Sequence, residues 1–143
     1  PLQNLLLNLI YPMNSKIKFA QGYVFLKPFN EIYIPTYVQN LIIKSFCEQK
    51  KFHLNLSINE QNIKNCWMEL FSIIKNKNIK IIVMASIHML PNNEKDFKKF
   101  CKIIKKNKKK FFFIFENISC SSLKELKDLT KKFSFYKKLN KII

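Results

Sequence analysis

Lys80-Ile81-Ile82-Val83-Met84-Ala85-Ser86-Ile87-His88-Met89-Leu90-Pro91 is the stretch on which the fold is decided. Ile81 to Ala85 form an unbroken apolar run containing β-branched residues. A strand that is apolar on both sides belongs at the centre of a parallel sheet with helices on both faces. Pro91 ends the run because it cannot donate to a sheet ladder. Ser86 and His88 are the first polar side chains beyond the core. In open α/β sheets, ligands bind outside the carboxyl ends of the strands, so these two residues mark the edge where a site is expected.

Working outward, apolar strands and amphipathic helices alternate on either side of this stretch. Upstream, Gln21 to Lys27 reads as a first strand through Tyr23, Val24, Phe25 and Leu26, closed by Lys27-Pro28-Phe29. Pro35-Thr36 opens a helix, with Val38, Leu41, Ile42, Ser45 and Phe46 as its core face. Phe52 to Leu56 is a short second strand. Ile63, Cys66, Trp67, Leu70, Phe71 and Ile74 then recur at helical spacing. Downstream, Asn92 or Asn93 caps a helix whose first turn carries Glu94 and Asp96. Phe97, Phe100, Cys101 and Ile104 form its apolar stripe. Phe111 to Phe115 is a fourth strand ending at Glu116-Asn117. Ser122-Leu-Lys-Glu125 is a capping box that opens a last helix. The order βαβαβαβα predicts an α/β, three-layer domain with a mainly parallel four-stranded sheet and helices on both faces.

At 143 residues the chain fits one domain. It begins with Pro1, and its first methionine is Met13; residues 1–12 are expected to be a leader that is not native, with 13–143 as the single domain. The net charge of +17 comes from 26 basic residues, all lysine, against nine acidic ones. Such an excess ordinarily points to nucleic acid or an anionic membrane. Here Lys, Asn, Ile and Phe make up more than half of the chain, and glycine occurs once. These are the marks of an AT-biased genome that has converted surface arginine to lysine. Arginine is the residue suited to bidentate phosphate and base-edge recognition, and its absence weighs against specific nucleic-acid binding. The basic run Lys105-Lys106-Asn107-Lys108-Lys109-Lys110 has no interleaved aromatics and reads as a solvated turn.

The single glycine, Gly22, removes the phosphate-cradling loops of dinucleotide enzymes and P-loop kinases, so no cofactor is expected. Cys47, Cys66, Cys101 and Cys120 are widely spaced and form no zinc motif, so no metal is expected. They read as reduced thiols of a cytoplasmic protein. No apolar run reaches the roughly 18 residues of a membrane span.

The strand ends collect polar side chains: Lys27, Ser57 with Glu60, Ser86 with His88, and Glu116, while Gln39 and Asn40 begin the first helix. Lys27, Gln39, Asn40, Ser57, Glu60, Ser86 and Glu116 are therefore expected to line one ligand-binding pocket. Glu60, His88 and Glu116 are the candidate catalytic residues, His88 as a general base with Glu60 or Glu116 orienting it and Lys27 clamping an anion. Amides, carboxylates and hydroxyls suit the many hydroxyls of a sugar.

The strand and helix order resembles the catalytic domain of resolvase-type serine recombinases. That family carries a nucleophilic serine after its first strand and several arginines around it. This chain reads Lys27-Pro28-Phe29 at the matching place, and Ser86 to Pro91 lacks the family's Asp-Arg pair. Only the fold is implied. A second resemblance runs from about Gln21 to Glu116. Gly22-Tyr23-Val24-Phe25, Pro28-Phe29, Pro35, Val38-Gln39-Asn40-Leu41, Cys47, Leu56-Ser57 with Glu60, Met68, Leu70, Ile82-Val83, Ser86, Leu90-Pro91 and Glu116 are similar to the bacterial sporadic carbohydrate cluster proteins. Lys27 stands where relatives have arginine, Gln61 where they tend to have tyrosine, and His88 where they are commonly apolar. That resemblance implies a place among genes for lipopolysaccharide or other surface glycans. It leads to a protein of surface-carbohydrate biosynthesis that binds or modifies an activated or acidic sugar or nucleotide sugar. The alternatives are a module that docks on a sugar-pathway enzyme and a recombinase-like DNA-binding protein. The sequence leaves open whether the protein is an enzyme and whether it forms a homodimer.

Overall fold

A computed structural model describes Gln3, Leu6 and residues 17–142, with side chains as far as Ser134. Apart from Gln3 and Leu6, the expected leader at 1–12 lies outside the described residues. Five strands, β1 (Lys18–Val24), β2 (Phe52–Asn59), β3 (Ile81–Met84), β4 (Lys110–Phe113) and β5 (Ile118–Cys120), form one sheet in the order β2-β1-β3-β4-β5. The first four are parallel, and β5 pairs antiparallel with β4. The expected α/β class and mainly parallel sheet are present, but the sheet has five strands instead of four. The extra strand has three residues, of which only Cys120 is buried, too short to show a period-two pattern. Asn117, at a φ of 54°, turns the chain back into it.

Alternation along the strands builds two cores. Tyr23, Ile82, Met84, Phe111 and Phe113 point to one face, where α2 (Met68–Lys75), α3 (Glu94–Lys106) and α4 (Leu123–Ile142) cover them. Ala20, Val24, Ile81, Val83 and Phe112 point to the other, covered by Ile43 and Cys47 of α1 (Thr36–Lys50). The face α1 buries is Gln39, Ile43 and Cys47, one position on from the expected stripe, and Leu41 is left exposed. The predicted caps of the last two helices form. The Asn93 side chain accepts from the Asp96 amide at 2.8 Å, and Ser122 Oγ accepts from the Glu125 amide at 3.2 Å.

Three buried polar side chains shape the sheet and the segments that leave it. The first, Gln39, is wholly buried and takes the place of a strand neighbour at Phe25. It accepts from the Phe25 amide at 3.0 Å and donates to the Phe25 carbonyl at 2.8 Å and the Ile34 carbonyl at 2.8 Å. This ends β1 at Val24, earlier than the Lys27 expected. The second, Gln21, donates to the Leu56 carbonyl at 2.8 Å, beside an irregularity where Gln21 to Tyr23 spans Asn55 to Ile58 in register. There Ser57 packs over Gly22: a Cβ on residue 22 would fall 2.2 Å from Ser57 Oγ and 3.1 Å from its Cβ. The lone glycine thus sits where the neighbouring strand approaches closely, and a side chain there would have to displace Ser57.

The third is Glu60, 1 % exposed. Its Oε2 accepts from the Tyr23 hydroxyl at 2.8 Å and the Leu70 amide at 2.9 Å. Its Oε1 accepts from the Glu69 amide at 3.0 Å, the Gln61 amide at 3.3 Å and Cys66 Sγ at 3.7 Å. A buried carboxylate is tolerated only when its lone pairs are satisfied. Here the satisfying donors include the free amides that open α2. The helix consequently starts at Met68, not at Ile63 as its periodicity predicts. Asn65 takes a φ of 56°, and Lys27 Nζ captures the carbonyls of Ile63 and Cys66, both at 3.0 Å.

Glu60→Ala should lower unfolding stability by about 3 kcal/mol or more, since several buried donors each lose a partner at a cost of ~1–3 kcal/mol. Glu60→Gln should also destabilise, because either orientation of the amide turns an NH2 toward a backbone N–H. Denaturant unfolding of both variants checks this. Alkali should weaken the fold in a second measurable way. Burial pushes the Tyr23 hydroxyl well above its usual value, with Glu60 beside it adding to the shift, and burial raises the Cys47 and Cys120 thiols to about 11. Unfolded thiols and tyrosine ionise near 9.0 and 10.0, so the stabilisation these groups give below pH 9 is lost as pH rises through the folded values. Burial lowers Lys27 and Lys109 below 10.5, and their contributions run the other way. The melting temperature should fall between pH 9 and 11, and Tyr23→Phe should flatten the upper part of that fall.

Candidate functional site

The sheet order changes direction between β1 and β3, and an α/β sheet offers its ligand crevice at the carboxyl side of such a point. A cleft of about 740 Å³ opens there, within the ~300–1,000 Å³ usual for small-molecule sites. The segment after β1 supplies Phe25, Lys27, Phe29 and Asn30. The segment after β3 supplies Ile87, His88 and Leu90 to Asn93. The β2–α2 connection adds Lys64, Asn65 and Trp67, and the start of α3 adds Glu94 and Phe97. Thr130, Lys131, Phe133 and Ser134 of α4 close the remaining side.

Of the residues expected at a site, Lys27 and His88 line this cleft. Lys27 Nζ, besides its two carbonyl partners, lies 4.9 Å from the Phe25 ring centroid and 5.1 Å from that of Trp67. An ammonium has three donors, so one remains for a ligand. His88 stands on a 3-10 turn (Ile87–Met89), its ring edge-on to Phe133 at 5.9 Å. The other expected residues are placed elsewhere. Gln39 and Glu60 make the backbone bonds described above. Ser57 packs on Gly22. Asn40 is half-buried in the first turn of α1 and does not line the cleft. Ser86 Oγ donates to Glu116 Oε2 at 3.0 Å and accepts from the His88 amide at 3.2 Å, while Glu116 Oε1 accepts from the Ile87 amide. Ser86 and Glu116 thus tie the ends of β3 and β4 together and hold the turn that carries His88. Glu60 and Glu116 spend their oxygens on backbone amides, Tyr23, Cys66 and Ser86, not on the imidazole.

Sequence reasoning placed Trp67 in the core and passed over Lys64 and Lys131. Trp67 is only 5 % exposed, yet its indole N–H has no hydrogen-bond partner among the described residues. A buried donor without a partner costs free energy, and this one belongs to a residue on the cleft wall. Three lysines (Lys27, Lys64 and Lys131), one carboxylate, Glu94, and the aromatics Phe25, Trp67, Phe97 and Phe133 line the same cleft. Such an arrangement can hold a flat or ring-shaped body on the aromatic faces and an anion on the lysines. Among the described residues, no group of three or more His, Cys, Asp and Glu side chains is gathered in a way that could hold a metal ion. No helix there is long and apolar enough to cross a membrane.

No family model matches the chain, and no curated protein matches it. Among solved structures the chain is similar to the N-terminal catalytic domain of TP901-1 integrase, at a TM-score of 0.62 and 18 % identity over 86 % of this chain and 99 % of that one. It is also similar to a resolvase family site-specific recombinase from Streptococcus pneumoniae, at a TM-score of 0.59 and 12 % identity over 89 % of this chain and 92 % of that one. At these identities the likeness is one of fold: the chain has the α/β architecture of the resolvase-type catalytic domain.

Proposed function

We propose that the cleft binds a small anionic sugar, a sugar phosphate, nucleotide sugar or sugar acid, and that the protein serves surface-carbohydrate biosynthesis. The observation that carries this reading is the joint lining of the cleft by the aromatics Phe25, Trp67, Phe97 and Phe133 and the lysines Lys27, Lys64 and Lys131. Three cations beside aromatic side chains suit an anion carried on a ring-shaped body. Aromatic faces pack on the apolar side of a pyranose or a nucleobase, and Asn30, Asn65, Asn92 and Asn93 offer amides for hydroxyls. The resemblance of residues 21–116 to sporadic carbohydrate cluster proteins supports the pathway. The role proposed is binding. The candidate carboxylates Glu60 and Glu116 are engaged by the fold, which leaves His88 as the sole imidazole on the wall.

The fold likeness to two recombinases favours a second reading, a recombinase-like DNA-binding protein. Against it stand the absence of arginine from the whole chain and Lys27-Pro28-Phe29 after the first strand, where the resemblance implies a nucleophilic serine.

One titration separates the two readings, because the chain has a single tryptophan and it lies in the cleft. Glucose 1-phosphate, UDP-glucose and glucuronate should change Trp67 fluorescence saturably and raise the melting temperature. The Lys64→Ala/Lys131→Ala double variant should weaken binding about tenfold, the size expected of two exposed charge contacts of ~0.5–1 kcal/mol each, without loss of stability. Silence with all three sugars, together with duplex-selective DNA binding at physiological salt, would overturn the sugar reading in favour of the recombinase-like one.

A further inference from the structure

A groove of about 510 Å³ runs between α3 and α4, and every residue that lines it belongs to one of these two helices. Lysines alone mark nothing in a chain with 26 of them; what lies between them does. Cys101 is buried and Phe97 and Leu123 are half-buried, whereas Lys98, Lys102 and Lys105 of α3 and Lys127 and Lys131 of α4 are exposed. The groove therefore has an apolar bottom and a basic rim. Glu94, the one acidic residue of its lining, is paired with Lys98 at 3.1 Å. Phe97 is stacked on Phe100 of the core, the ring centroids 6.1 Å apart.

The groove adjoins the cleft: Glu94, Phe97, Thr130 and Lys131 line both. Cys101, Lys102, Lys105, Leu123 and Lys127 line the groove alone, so it leads away from the cleft along the two helices. From Phe97 to Lys105 is about 12 Å of helix, at ~1.5 Å per residue. The two cavities differ in chemistry. The cleft offers asparagine amides and an imidazole. The groove offers aromatic, aliphatic and thiol groups and the stems of lysines, whose methylenes cover apolar surface while the ammonium stays in water.

We infer that the ligand is an amphiphile, a sugar joined through a phosphodiester to an apolar chain, with the sugar in the cleft and the chain in the groove. The inference rests on the sugar reading of the cleft and names the class of sugar it takes. Continuity selects the occupant, since one molecule filling both cavities must be polar at one end and apolar at the other. Charge complementarity places the phosphate. Lys131, the lysine common to both linings, meets it where the head gives way to the chain. Burial of the chain supplies affinity that exposed lysines do not, about fourfold for each methylene taken out of water.

Methyl, hexyl and decyl phosphodiesters of glucose 1-phosphate, kept below the concentrations at which they self-associate, test this by titration calorimetry on the full chain. Affinity should rise with chain length, the decyl ester binding about tenfold or more tighter than the methyl ester. Leu123→Lys puts a charge in the groove and leaves the cleft lining unchanged. It should abolish the rise and leave the methyl ester's affinity as it was. In the unsubstituted protein, the decyl ester should shift the amide signals of Cys101, Lys102 and Lys127 where the methyl ester does not. A methyl ester that binds as tightly as the decyl ester would overturn the inference and leave the sugar reading standing, with the groove left to another occupant such as an acidic helix of a partner protein. A rise that the folded Leu123→Lys variant retains, or a decyl ester that leaves those three amides unmoved, would overturn it too, since the chain would lie elsewhere. Silence with all three esters, or a decyl ester that binds no tighter than decyl phosphate, would overturn the sugar reading as well.

Discussion

The carboxylate of Glu60 is the constraint on which the rest of the structure depends. Placed in the core, it costs more than most single interactions can offset, and it is stable there only because its two oxygens have five donors. Those donors come from β1, from the segment after β2 and from the first turn of α2. One group therefore joins the sheet to the helix that follows and determines where that helix begins. The residue just before that helix is Trp67. Its indole is held against Lys27, whose ammonium in turn holds the Ile63 and Cys66 carbonyls that an earlier helix start would have used. The cleft wall is a direct consequence of where a buried charge finds its partners.

A division of labour follows among the polar residues at the carboxyl edge of the sheet. Gln39 closes β1, Glu60 opens α2, and Ser86 with Glu116 joins the ends of β3 and β4. Each spends its hydrogen-bonding capacity within the fold, on backbone or on neighbouring side chains, and none lines the cleft. Lys27, Lys64, Lys131, His88 and Trp67 do line it. The first group holds the second in place, which is what a preorganised site requires.

Much of this architecture is legible in the sequence because apolar periodicity reports burial. The apolar run at Ile81 to Ala85 locates the central strand, and Asn93 and Ser122 cap the helices they were expected to cap. Other features escape for physical reasons. β5 is too short to display alternation. The helical spacing from Ile63 to Trp67 is genuine, but tertiary bonds to Lys27 and a left-handed Asn65 override it. At the site, sequence shows that Gln39, Glu60 and Glu116 are polar near strand ends; it does not show that buried backbone groups occupy them. Trp67 is the converse case. An aromatic at helical spacing reads as core, and only coordinates reveal that its N–H lacks a partner. The same holds for lysine: with so many in the chain, neither Lys64 nor Lys131 stands out until the fold brings them to one rim.

On the reading proposed, an anionic sugar lies in the cleft against Trp67. With one tryptophan in the chain, a nitrogen–proton correlation spectrum carries a single indole signal, and its response to glucose 1-phosphate is the most direct measurement. Sugar phosphate bound beside the indole should move that signal saturably, in step with changes at the amides around His88 and Asn93. An indole signal unmoved at saturating sugar phosphate, or one that moves while those amides stay fixed, would contradict the assignment of the cleft.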